Sequence, residues 1–124
     1  MSKYQQIIDL ELFKELTSND AEFQDEVLQS FVLSCNRIIE DLKKSISANN
    51  EKNISHYIHS LKGCCVVLGF IIIPNIVDQQ VNKIGKDKSY KEFLKKILEE
   101  FEKTKIFCKD YRKSIHHLLQ KNSK

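Results

Sequence analysis

Within residues 53–70, NISHYIHSLKGCCVVLGF, a histidine, a lysine and a glycine stand at positions 59, 62 and 63. Imidazole is a competent nucleophile near pH 7. An ammonium one helical turn away can offset negative charge that gathers on a group under attack. The stretch has the apolar rhythm of a buried helix, and at about 100° per residue Ile54, Ile58, Leu61, Cys65 and Leu68 point within about 40° of one direction, the core. His59 then points about 140° away from the core, with Ser55, Lys62, Gly63, Val66 and Phe70 at roughly 100°, 80°, 180°, 120° and 160°. Glycine costs a helix interior about 1 kcal/mol relative to alanine. On an outward face, core packing cannot be the reason for Gly63. Clearance is: another macromolecule can approach the imidazole closely. Val66 and Phe70, as exposed apolar residues beside it, suit docking of a protein.

Other groups carry less chemistry. His56 and His59 are spaced to share a zinc ion, but no third or fourth ligand stands at a recognisable spacing, so no metal is expected. Cys35, Cys64, Cys65 and Cys108 form no C-x-x-C pair and read as reduced thiols, three of them in the core. His116 and His117, near the end of the last helix, read as surface residues that favour its negative pole when protonated. The run KKILEEFEKTK reads as ion pairs on a solvated face. No carboxylate pair in an apolar setting suggests acid–base catalysis.

The elements that hold these residues follow from composition and periodicity. A chain of 124 residues with 41% hydrophobic content can bury one core, and only 3 Gly and 1 Pro imply few turns and long helices. The net charge of +3 gives no strong nucleic-acid signal. The N-terminus lacks the apolar block of a signal peptide. The longest apolar run, Cys64 to Ile73, falls short of the roughly 20 residues that span a bilayer, so a cytoplasmic protein is expected. Helices are predicted over about 8–16, 20–48, 53–69, 73–85 and 88–120. Asn19 and Glu22 form a candidate capping box for the second. That helix carries Leu28, Phe31, Cys35, Ile38 and Leu42, widened by Phe23, Val27, Val32, Ile39 and Ile46. The fourth buries Ile73, Ile76, Val77, Val81 and Ile84 and stops at Gly85. The last shows a seam of Tyr90, Leu94, Ile97, Phe101, Thr104, Cys108, Tyr111, Ile115 and Leu118. A coiled-coil dimer would use that seam, but the other stripes also need partners, which favours a monomeric all-α, antiparallel up-and-down four-helix bundle with a short N-terminal capping helix.

The order His59, Lys62, Gly63, Gly69, in HSLKGCCVVLG, resembles the H-x-x-K-G-x5-G signature of histidine-containing phosphotransfer (HPt) domains, and the five segments match that family in order and approximate length over about residues 8–120. The resemblance implies a single HPt domain over 1–124 and a phosphocarrier without kinase activity. His59 would accept a phosphoryl group from the phosphoaspartate of a receiver domain and pass it to a second receiver; Lys62 would offset charge on the phosphoryl oxygens and Gly63 would give clearance. Receiver domains and a hybrid sensor histidine kinase are the implied partners, and the receiver would bring the Mg²⁺, this chain holding no cofactor of its own. Family members often hold the other ring nitrogen from the following helix; the matching position is Asn82, with Gln79 as its rival. Cys64 and Cys65 stand where the family often has Ser or Ala. The first helix, with Leu12, Phe13 and Leu16, either extends the docking surface or simply covers core. Met1 and the polar tail read as those of a free-standing protein. The competing reading is a non-phosphorylated helical adaptor that binds a protein through the same face.

Overall fold

The computed structural model describes the backbone of residues 7–87 and 90–122 and the side chains of residues 7–80 and 90–120. Among the described residues there are five helices and no strand: α1 (Leu10–Leu16), α2 (Ala21–Ser47), α3 (Glu51–Val66), α4 (Ile72–Asp87) and α5 (Tyr90–Asn122). None is long and apolar enough to cross a membrane.

The helix starts are set by side chains that satisfy free backbone amides. Asp9 accepts from the Leu12 amide at 3.1 Å, Asp20 from Phe23 at 3.1 Å and Asn50 from Asn53 at 3.1 Å. The expected Asn19–Glu22 box is therefore displaced by one residue. Ser18 and Asn19 take φ of 53° and 54°, the left-handed conformation Asn tolerates, and leave the cap to the Asp20 carboxylate. Pro74 lies in the first turn of α4, where its missing amide has no intrahelical acceptor. Gly85 does not end α4, which continues to Asp87.

α2 packs against α3 and α5, α3 against α4, and α4 against α5. The core between them holds Leu28, Phe31, Cys35, Ile39 and Leu42 of α2, Ile54, Ile58, Leu61 and Cys65 of α3, and Ile73 and Val77 of α4. Val81 and Ile84 were expected beside these last two; their side chains lie outside the described residues. From α5 come Phe93, Ile97, Phe101, Phe107 and Cys108. The expected seam of α5 is too narrow: it omits Phe93 and Phe107, because α2 and α4 cover the helix from two sides, and it includes Leu118, which is 54% exposed. Phe23, expected in the stripe of α2, is also exposed.

The connection from α3 to α4 differs most from expectation. α3 ends at Val66 rather than Gly69, capped by Val67. Gly69 then takes φ of +88°, and a Cβ there would stand 3.2 Å from the Asp9 carbonyl oxygen. Both facts require glycine. The turn lets residues 69–71 pair with 7–9: the Asp9 amide donates to the Gly69 carbonyl at 2.8 Å and the Ile71 amide to the Ile7 carbonyl at 2.8 Å, flanking an antiparallel bridge between Ile8 and Phe70.

Candidate functional site

The middle of α3 presents a solvent-facing strip. His59 and Ser55 are exposed, Lys62 is half-buried, and Gly63 is open, with nothing within 4 Å of where its Cβ would be. The buried positions Ile54, Ile58, Leu61 and Cys65 hold the opposite side of the helix against the core, which fixes the strip's direction. Because α3 is helical from Glu51 through Val66, His59 and Lys62 stand three residues apart on adjoining turns, with Cβ atoms about 5–6 Å apart. His56, the other imidazole of this helix, packs edge-on against Tyr57 at 5.1 Å.

Lys62 has a partner that the sequence reading missed. Its Nζ donates to Oδ1 of Asp78 on α4 at 2.6 Å. The two are sixteen residues apart and joined across two helices, so no local spacing could signal the pair. Gln79, next in sequence to Asp78, is exposed, and among the described residues no hydrogen bond joins it to His59. Asn82 lies one turn beyond Asp78; its side chain falls outside the described residues.

Two expected docking residues are corrected. Phe70 is 4% exposed, stacked on Phe31 at 4.2 Å between centroids and edge-on to Phe107 at 6.1 Å. Its predicted outward direction assumed a helix that ran through Gly69, whereas the chain turns at Gly69 and folds Phe70 inward. Phe13 is fully buried and edge-on to Tyr111 at 5.7 Å. Of the two readings of α1, covering core holds for Phe13, while Leu12 and Leu16 are exposed. The apolar shoulder of the strip is instead Val66 at 51% and Val67 at 65% exposure, beside a shallow groove lined by Phe23, Val27, Cys64 and Leu68.

The cysteines are all free, and Cys35 Sγ lies 3.7 Å from Cys64 Sγ. The contact with the Cys35 thiol, together with burial, pushes the Cys64 thiol well above its ordinary range. Cys64 therefore stays a thiol beside Gly63. Among the described residues no group of three or more His, Cys, Asp or Glu is placed to hold a metal ion.

Residues 26–79 match the model of the family described as Hpt domain. This stretch runs from the second turn of α2, through all of α3, into α4, and contains His59, Lys62, Gly63, Gly69 and Asp78. The match supports the Hpt resemblance for that stretch, from α2 into α4. Hpt domains are phosphocarriers rather than kinases, and they act with histidine kinases and receiver domains in phosphorelay signalling. No curated protein and no solved structure matches the chain.

Proposed function

We propose that the chain is a cytoplasmic, monomeric phosphorelay intermediate, a single domain in which α2 to α5 form an antiparallel up-and-down four-helix bundle and α1 caps one end. His59 accepts the phosphoryl group of a receiver's phosphoaspartate and delivers it to another receiver. The observation that carries this reading is an exposed imidazole at mid-helix, with open space one turn on at Gly63, inside the segment that matches the Hpt family.

In the transfer, the His59 Nε2 lone pair attacks phosphorus from a tautomer with its proton on Nδ1. The N–P bond forms as the bond from phosphorus to the aspartyl oxygen breaks, and the carboxylate leaves. The step asks for positioning and charge compensation rather than acid–base chemistry. The Lys62 ammonium supplies compensation from this chain. Mg²⁺ comes with the receiver. Val66, Val67 and Ser55, with Leu12 as an outlying contact, form the surface on which the receiver rests.

The test is incubation of the purified chain with a phosphorylated receiver domain and Mg²⁺. Label that is acid-labile and base-stable is expected on the wild type and absent from His59→Gln, whose helicity and melting stay unchanged because the side chain is exposed. Label that survives the substitution overturns the assignment. A receiver that binds both proteins while labelling neither leaves the adaptor reading.

A further inference from the structure

The Lys62–Asp78 pair puts an acidic side chain within reach of the site from a second helix. Nζ and Oδ1 are 2.6 Å apart, yet both side chains are open to water, at 37% and 57% exposure. Surface pairs of this kind add little to folding stability. The pair therefore exchanges readily: the ammonium, on a flexible four-carbon stem rooted one turn from His59, can turn from a carboxylate to an arriving phosphoryl group. A phosphoryl group brings more negative charge than one carboxylate, so it competes well for that ammonium.

We infer that Asp78 competes with an incoming phosphoryl group for the Lys62 ammonium, so that this carboxylate sets how strongly the site draws an anionic phosphodonor. The inference rests on the reading of His59 as phosphoacceptor. It acts in two ways of the same sign. Asp78 partly neutralises Lys62, and its own charge repels the donor. Both weaken the attraction for the phosphoryl group, which favours passing it on over keeping it.

Phosphoramidate, a small anionic donor, tests this without a protein partner. His59 displaces ammonia from phosphorus and becomes phosphohistidine, and the rate of loading is followed by mass. Asp78→Asn is expected to load roughly three- to tenfold faster than wild type, the effect of removing one nearby unit charge in a watery setting. The gap should narrow with added salt. Asp78→Glu should return the wild-type rate, and the Asp78→Asn effect should shrink in a Lys62→Ala background, since the two side chains act as one unit. Melting temperatures of Asp78→Asn and wild type should coincide, which separates this role from a structural one. Equal loading rates for Asp78→Asn and wild type, or an undiminished effect without Lys62, overturn the inference while leaving His59 as acceptor. Loading that is the same in wild type and His59→Gln removes the acceptor reading itself, and the role of Asp78 with it.

Discussion

At Gly63 the interests of helix and site diverge. The position lies inside α3 and faces open space, so the helix alone would be better served by alanine. Gly63→Ala is expected to raise stability by about 1 kcal/mol, a rise of a few degrees in melting temperature. Gly63→Leu should also strengthen the helix, but it fills the space one turn from His59, and labelling by a phosphorylated receiver should fall about tenfold or more as the imidazole is held out of line with phosphorus. Stability rising while transfer falls, measured on the same variant, is the signature of a residue kept for access. Transfer at the wild-type rate in Gly63→Leu would show that the donor does not approach across this position. The outward direction of both positions was readable from the sequence because it needs only the helical repeat: the buried face of Ile54, Ile58, Leu61 and Cys65 fixes where residues 59 and 63 must point.

The helical repeat serves only as far as the helix extends. Val66 is the last residue of α3, and Phe70, beyond the turn, sits in the core where extrapolated periodicity put it in solvent. The signal that could have corrected this is Gly69 itself, a residue that admits a positive φ and so marks a change of direction. Its conformation and its contact with Asp9 make Gly69→Ala costly: about 1–2 kcal/mol of stability should be lost, read from a urea midpoint, while labelling by a phosphorylated receiver is expected to persist. Unchanged stability would mean that the 7–9 and 69–71 segments part without cost. Other misreadings have related causes. A regular step of three and four picked Leu118 and passed over Phe93 and Phe107, because the width of a buried face depends on how many neighbours cover the helix, and that is a property of the packing. Asp78 was passed over because its partner is on another helix. The stripes of α2 and α3 were legible because each faces the same core along most of its length.

Across the whole molecule, polar contacts tie α5 to α2 at the level of α1. Burial pushes the Asp25 carboxyl up, but the hydrogen bond and charge of Arg112 and the contact with His116 outweigh it and hold the group below its ordinary value. Arg112 Nε donates to Asp25 Oδ1 at 2.8 Å, and His116 Nε2 lies 2.9 Å from the same oxygen. His116, expected as a plain surface residue, thus joins a link between helices. A carboxylate with a lowered folded-state pKa adds stability that is fully present above its unfolded value of about 3.9 and is lost as pH falls through the folded value. Asp25→Asn should therefore cost roughly 1 kcal/mol at pH 7. The loss should shrink to nothing in strong acid, where the wild-type carboxyl is also neutral; urea midpoints of the two proteins between pH 7 and pH 2 measure it, and parallel curves would count against the link.

Beside this pair, the Tyr111 hydroxyl donates to Gln24 Oε1 at 3.1 Å, Gln24 Nε2 donates to Thr17 Oγ1 at 3.0 Å, and the Thr17 hydroxyl donates to the Phe13 carbonyl at 2.8 Å. Gln24 and Thr17 are buried, and both ends of the glutamine amide are used. Sliding α5 by one turn would move Tyr111 about 5.4 Å and strand that amide in hydrocarbon. The register between these helices consequently has a single setting. In the transfer proposed above, a receiver would meet a surface whose helices keep one mutual setting, and its productive encounters would depend on orientation and charge.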